Sequence, residues 1–558
     1  MYAVSRTNII RQLRSLENLL MPSLSLTSRE MASAESQAAT ESTVTKPPNV
    51  VIHHGAGGDG QARLRQLVTS VVSSEYYTFH DLPVAAPPVW LESAALLVVA
   101  GQLSAAVSAD AERFWRGGGA VLSVSSSLTL GCLSGEPRPP AEPSVVLSYA
   151  QERDVTCRYS VTARPLSARI AAEGACEVTT PVSVRREDDG PEMPPPVLRC
   201  CPTGGGGAVL LTQLDWDVTA PAQLRLLRAL LGSELGVRCA EPEQTEVQYE
   251  LGYLMADAAV AARLTEPRRS RCGPELCVVS AAETGAASAE RLPLLVGAPP
   301  TSRFNHRLFE SELETAVLGR CLVFLPAVTS TMDVLRDARL PHGAAVVCDR
   351  QTRGRGRAGN TWLSPAGCCM LSVRLLVTLD SPLGGRLSWL QHAAALAVAE
   401  AVGDPRLGLK WPNDLYWEGR TKVGGVLVET DVMGRSAECR LGLGVNLDNA
   451  APTVCLNRLL AAPLARERLL ARLLSRLEEL LTLDTAALAE RYRSRWLHER
   501  QPVTVQRDGE SVPAEVCGLD QHGFLLVRAA ADGAELAVSP DGNSFDMMRG
   551  LIVPKQAG

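Results

Sequence analysis

The sequence predicts a multidomain protein of mixed α/β and α+β class. Three observations carry this. Strand and helix patterns alternate from Asn49 onward, which calls for a parallel sheet. A central stretch reads mainly as strands joined by short loops. A final stretch holds short, turn-bounded strands that suit a small β-barrel. At 558 residues the chain has room for three or four domains, each able to bury its own core.

Composition narrows the function classes. With 46% hydrophobic and 21% charged residues, wholesale disorder is excluded. A net charge of −6 excludes a general polyanion binder, so any basic cluster must act locally. The fifteen cysteines form no C-x-x-C pair, and Cys200-Cys201 and Cys368-Cys369 are adjacent. That usage suits a reducing compartment and speaks against structural zinc. No apolar run approaches the roughly 18 residues of a membrane span.

Residues 1–47 stand apart as a transit-peptide-like or disordered tail. Up to Arg29 they hold Arg6, Arg11, Arg14 and Arg29 against Glu17 alone. Ile9, Ile10, Leu13, Leu16, Leu19 and Leu20 fall at helical spacing. An Arg-rich, amphipathic, acid-poor stretch suits mitochondrial targeting. Met31 would open a second, cytosolic form.

Residues 48–240 read as one α/β domain. "NVVIHH" is a buried strand, followed by "GAGGDG" and a helix from Gln61 to about Ser74. "AALLVVA" is a second strand, "ADAERFWRGGG" a helix and "AVLSV" a third strand. The domain closes near "GAVLLTQLDW" and a Leu-rich helix around Ala222–Leu235. Gly55, Gly57 and Gly60 spell G-x-G-x-x-G between strand and helix. No acid sits convincingly at the end of a second strand about 20 residues on, so the signal for a dinucleotide is weak. "GPEMPPP" (Gly190–Pro196) reads as a surface loop. Residues 241–302 look less regular and read as a linker.

Residues 303–497 carry the chemistry. "RCLVFLPAV" is a strand, and "TSTMDVLRD" opens a short helix with hydroxyls at Ser330 and Thr331. "GAAVVCDRQT" is a strand leading into "RQTRGRGRAGNTW". There Arg350, Arg353, Arg355 and Arg357 interleave with Gly354, Gly356 and Gly359. The spelling again matches a dinucleotide fingerprint, but the alternating "MLSVRLLVTL" follows and not a helix. The motif is a strand-to-strand loop suited to an anion: glycines admit close approach and Arg forks grip oxygens. "LGLKWPNDLYWEGRTKVGGVLVET" reads as three strands with turns at Pro412-Asn413-Asp414 and Glu418-Gly419-Arg420. It displays Lys410, Lys422 and Asp414 near strand ends. Trp411 and Trp417 are walls or core. "LGLGVNL" ends in Asn446. There is no triad, metal cluster or Walker A. Cations, one carboxylate and opened backbone suit binding two substrates and stabilising phosphoryl charge.

The segments "TSTMD", "RQTRGRGRAGNTWLSP", "KWPNDLY", "KVGGVLVE" and "GLGVNL" resemble those of the biotin–protein ligase family. The ending "VSPDGNSFDMMRGLIVPK" is similar to its vertebrate holocarboxylase synthetase branch. The likeness covers roughly Phe304 to Lys555. It implies a central biotin/lipoate-ligase-type mixed α+β catalytic domain and, over 498–558, an SH3-like small β-barrel. More weakly, residues 48–240 resemble the amidotransferase-like N-terminal region of eukaryotic members. Where that fold holds a nucleophile, this chain has Ser125, with no evident His/Glu pair downstream; a non-catalytic role is implied.

The resemblance also implies roles. Biotin and ATP would form biotinyl-5′-AMP, with Mg²⁺ bridging the ATP phosphates. Biotin would then pass to a carrier lysine. The implied partners are the carrier domains of acetyl-CoA, pyruvate, propionyl-CoA and methylcrotonyl-CoA carboxylases, in cytoplasm and mitochondrion. Arg355, Arg357 and Lys422 would stabilise phosphate charge, with Asp414 nearby. Ser330, Thr331 and Gln351 would meet the ureido ring, while Trp362, Lys422 and Gly425 line the biotin site. Gly354, Gly356, Lys410, Trp411, Asn413 and Asn446 fall on the nucleotide side. No residue is assigned as a metal ligand. Two departures stand out. Met332 replaces an Asn of some bacterial relatives, and Lys422 lies one residue further from "KWPND", requiring an extended turn. No helix-turn-helix precedes the catalytic segment, so no DNA role is inherited. The competing readings are a lipoate ligase or transferase of the same fold, or a non-catalytic RNA-binding scaffold using the Arg/Gly loop.

Overall fold

The computed structural model describes residues 48–55, 58–74, 76–82, 90–91, 94–128, 133–134, 144–159, 169–170, 176–185, 195–240, 249–266, 273–280, 287–357, 360–450, 452–507, 510–540, 543–546 and 551–554. The targeting-like stretch, Gly57 and most of the "GPEMPPP" loop lie outside them.

The first domain is built on a seven-stranded sheet. Its order is Thr78–Asp81, Asn49–His54, Ala94–Gly101, Ala120–Ser126, Val209–Thr212, Val197–Pro202, Cys176–Thr179. The first five strands are parallel, and Val197–Pro202 runs antiparallel to both of its neighbours. Helices Gly58–Val71 and Pro221–Leu235 cover one face and Ala105–Arg116 the other. The near-continuous apolar strands follow from burial on both faces. The helix after "NVVIHH" starts at Gly58, three residues before its expected start. A side chain at Gly60 would strike the His54 imidazole at 2.5 Å, so this glycine serves close packing. Ser125 adopts φ +45°, and its hydroxyl donates to the Leu214 carbonyl at 3.2 Å.

The second sheet has ten strands and holds the site. Its order is Glu275–Val278, Arg291–Val296, Gly252–Met255, Leu322–Val328, Ala345–Gln351, Cys368–Thr378, Ser436–Asn446, Thr421–Met433, Asp414–Trp417, Leu407–Lys410. The first three correct the linker reading of 241–302. Its described residues extend the ten-stranded sheet, with Tyr253 paired to Phe324. Strands of four to six residues between Pro-, Gly- and Ala-rich stretches leave too little period to read.

One face of this sheet packs on helix Leu390–Val402, nearly all of it buried, and on the amphipathic helix Arg466–Thr482. In the latter, Leu469, Leu470, Leu473, Leu474, Leu477 and Leu480 recur at helical spacing and are buried. Each is worth about 1.5–3 kcal/mol of apolar burial. On the other face, Leu276 and Leu292 of its own added strands pack with Val260 and Leu264 of helix Ala258–Thr265.

The C-terminal residues form a six-stranded sheet: Glu535–Val538, Leu525–Ala529, Glu510–Leu519, Pro502–Arg507, Leu551–Pro554, Asn543–Asp546. A turn of this domain is anchored to the domain of the ten-stranded sheet. The Gly523 carbonyl accepts from Trp411 Nε1 and His392 Nε2, each at 3.0 Å, and the Gln521 carbonyl accepts from Trp389 Nε1 at 2.9 Å. His498 Nε2 accepts from the Trp411 backbone N–H at 2.9 Å, so its Nδ1 bears the proton and donates to Gln501.

Burial pushes the pKa of both His392 and His498 from 6.5 down to about 4. Their neutral forms therefore stabilise the fold above pH 6.5, and that stability is lost as pH falls toward 4. Each histidine should cost on the order of 3 kcal/mol over that window. Urea unfolding at stepped pH should show the midpoint falling between pH 6.5 and 4. A His392→Gln, His498→Gln double variant should show a flatter profile.

Candidate active site

A cavity of about 260 Å³ opens on the ten-stranded sheet. One end is a polar strip. The Thr331 N–H and hydroxyl meet Gln351 Oε1 at 2.8 and 3.1 Å, and the Thr331 and Ser372 hydroxyls lie 2.8 Å apart. Gln351 Nε2 donates to Ser364 Oγ at 3.1 Å. Ser330, Thr331, Gln351 and Ser372 are all buried. Helix Thr331–Val334 begins where the fully buried strand Leu322–Val328 ends, which aims its first turn at the strip. A ligand reaching this end must both donate and accept hydrogen bonds.

The other end is charged. Asp414 sits between two lysines, with Lys422 Nζ at 2.7 Å from Oδ1 and Lys410 Nζ at 3.8 Å from Oδ2. Antiparallel pairing of Lys410 with Asp414 and of Asp414 with Gly425 sets this cluster. A bulge at Val423, just after Lys422, shifts the register, since Leu415 pairs with Gly424 but Tyr416 with Lys422. Asn413 Nδ2 donates to the Val426 carbonyl at 2.6 Å.

Between the ends lies Trp362. Gly425 and Gly444 are paired across adjacent strands. A side chain at Gly444 would strike the Trp362 indole at 2.5 Å, and one at Gly425 would touch it at 3.5 Å. The glycine pair thus leaves a flat floor for the ring. Lys422 Nζ stands 5.7 Å above the same ring.

The Arg/Gly motif does run from strand to strand, between Ala345–Gln351 and Cys368–Thr378. Its flanks knit into a small hairpin, with Trp362 N–H on the Gly354 carbonyl at 2.9 Å and Gly356 N–H on the Asn360 carbonyl at 2.7 Å. Arg357 donates to the Pro540 carbonyl of the C-terminal domain at 2.9 Å and faces Asn413 Oδ1 at 3.5 Å. Arg355 pairs with Asp333 at 2.9 Å and Glu429 at 3.4 Å.

Of the residues assigned from sequence, Ser330, Thr331, Gln351, Arg355, Gly356, Arg357, Trp362, Lys410, Asn413, Asp414, Lys422 and Gly425 line this one cavity. Three do not. Trp411 is 1% exposed and anchors the Gly523 turn, so it is core. Asn446 is buried and accepts from the Cys368 thiol at 3.4 Å. Gly354 lies beneath the hairpin, where a side chain would strike the Trp362 carbonyl at 2.3 Å. The sequence reading missed Asn360, Thr361, Ser372, Gly442 and Gly444, all of which line the cavity. The spacing Gly442-x-Gly444 on a strand was the available signal, since alternate residues share a face.

Residues 324–446 match the Biotin/lipoate A/B protein ligase family model. Within that class the relatives are specific. The chain is 36% identical to the human biotin–protein ligase over 280 residues, covering 46% of this chain and 38% of that one. It is 36% identical to biotin–protein ligase 2 of Arabidopsis thaliana over 276 residues, covering 45% of this chain and 82% of that protein. For the chloroplastic biotin–protein ligase 1 of Arabidopsis thaliana the identity is 37%, over 45% of this chain and 73% of that protein. Among solved structures, the biotin protein ligase from Aquifex aeolicus in complex with biotin and ATP is similar at 26% identity and TM-score 0.33. That match covers 38% of this chain and 97% of the other. The chain belongs to the biotin–protein ligase family.

Gly444→Ala should push Trp362 off its floor. Overpacking of this kind costs about 1–3 kcal/mol, so biotin affinity should fall roughly ten- to hundredfold. Titration calorimetry with biotin, beside a thermal melt, would check this; unchanged affinity would refute the floor's role.

Proposed function

We propose that this chain is an ATP-dependent biotin–protein ligase. The biotin carboxylate attacks the α-phosphorus of ATP and pyrophosphate leaves. The amine of a carrier-domain lysine then attacks the acyl carbon, and AMP leaves. The observation that carries this reading is one cavity with a hydroxyl/amide strip at one end and a lysine–aspartate–lysine cluster at the other. A ureido ring needs the donors and acceptors that Thr331, Gln351 and Ser330 supply. The valerate would run over Trp362 and Gly425 toward Lys422.

Negative charge grows on the phosphate as the adenylate forms. Lys422 and Arg357 would offset it, and Lys410 would add a third cation. Asp414 keeps the two lysine ammonium groups together in the half-buried site and is available near the incoming amine. Arg355 would have to exchange Asp333 and Glu429 for phosphate oxygens before it could contribute. Among the described residues lining the cavity, Asp414 is the one carboxylate, and Lys422 and Lys410 share it. Mg²⁺ would therefore be held chiefly by the nucleotide's own phosphates, whose charge it neutralises.

Lipoate offers no ureido ring, so the polar strip would be buried against an apolar group, at a cost of about 1–3 kcal/mol per unpaired atom. That favours biotin. The C-terminal sheet is read as an SH3-like domain closing the nucleotide side, with the Arg357–Pro540 contact in support. The first domain is read as amidotransferase-like and non-catalytic, because the Ser125 hydroxyl is spent on a carbonyl. The Arg-rich stretch before Met31 supports a mitochondrial form beside a cytosolic one, serving the carboxylases of both compartments.

Incubation with ATP, Mg²⁺ and either biotin or lipoate should label an apo biotin carrier domain with biotin alone. No transfer by folded protein would refute the assignment. Arg357→Ala should lower adenylate formation by roughly 10²–10³, measured as pyrophosphate release, while leaving the Tm within a few degrees.

A further inference from the structure

Helix Thr331–Val334 has two faces. Thr331 and Met332 line the cavity. Val334, with Leu335 and Leu340 just beyond, packs instead into a core shared with Leu254, Val260, Leu264, Leu276, Leu292 and Leu294 of segment 249–296. The segment also reaches the helix through backbone. Gly273, at φ +76°, lies where a side chain would stand 2.3 Å from the Asp333 carbonyl. Asp333 in turn pairs with Arg355.

Arg339 joins the two pieces. Its Nη1 donates to the Leu264 carbonyl at 2.9 Å and the Glu266 carbonyl at 2.7 Å, and its Nη2 donates to the Leu276 carbonyl at 2.8 Å. Nε and Nη2 grip the two oxygens of the buried Asp337 at 3.0 and 2.6 Å. All five N–H donors of the guanidinium are used. From the sheet side, Arg374 donates to the Asp337 and Leu340 carbonyls and pairs with Glu438 at 2.7 Å. Residues 331–340 are thus fixed between the sheet and the added segment.

We infer that Arg339 is a positioning residue for the polar end of the cavity, and that the described residues of segment 249–296 brace the biotin site from behind helix Thr331–Val334. The inference rests on the biotin-ligase reading. Arg339 touches no cavity residue. It acts through Asp337 and the helix to hold Thr331 on Gln351 and Ser372. Thr331 must sit within a few tenths of an ångström to serve a buried ring, and a displacement of about 1 Å can cost on the order of 10².

The test uses the full chain. Arg339→Met keeps the apolar stem and removes the five bonds; Arg339→Lys restores charge and part of the bonding. KM for biotin, KM for ATP and kcat are measured for each, with a thermal melt. For Arg339→Met, KM for biotin should rise about tenfold or more, with KM for ATP and saturated kcat within about twofold. Arg339→Lys should recover part of the loss. If Arg339→Met does not fold, Gly273→Ala, which presses directly on Asp333, should give the same split. KM for biotin unchanged in the folded variants overturns the inference, and so does an equal loss in all three constants. Wild-type protein that transfers no biotin overturns the functional reading beneath it, a result distinct from either.

Discussion

The site rests on one constraint: two neighbouring strands must meet without side chains where an aromatic ring lies on them. Gly425 opposite Gly444 provides that gap, and Trp362 fills it. Everything else is placed relative to the ring. The hairpin of the Arg/Gly motif is tied to the Trp362 backbone, Lys422 stands over the indole, and Asp414 is the cross-strand partner of Gly425. A sheet can hold such groups to fractions of an ångström because each strand is bonded on both sides. A loop-borne site would need separate packing for each group.

Electrostatics then follow from register. Asp414 attracts two lysines that would otherwise repel each other in a half-buried pocket. Arg355 is drawn the other way, into a ladder of alternating charge. It runs from Asp333 and Glu429 through Arg440 and Glu438 to the buried Arg374. The two arginines of one short motif therefore have different environments, one facing carboxylates and one facing a carbonyl of another domain.

Much of this was legible in the sequence, and the limits have physical reasons. The turn at Pro412–Asp414 and the strand alternation around the glycine motif are local signals, so the hairpins were readable. The strand is bulged at Val423, just after Lys422, a register shift that no local signal in the sequence marks. Trp411 could not be separated from a ligand wall, because an indole on a strand looks alike whether it faces core or cavity. Its partner carbonyl, at Gly523, is 112 residues away. The strands of segment 252–296 were lost for a different reason. They are too short for periodicity and gain their order from a sheet assembled elsewhere. Gly444 needed the pairing register, which only the folded sheet defines.

The Gly523 carbonyl has a consequence for how the chain comes into being. It receives the Trp411 and His392 donors, which are made 112 and 131 residues earlier. While the chain is synthesised, the catalytic sheet, its core helices and the "KWPND" hairpin can all form before the turn that braces them leaves the ribosome. During that interval the two donors lack their acceptor and must bond to water instead. The domain made after the catalytic sheet is thus the one that completes this hairpin, so a newly made chain matures into a competent site only once that later domain has folded against it.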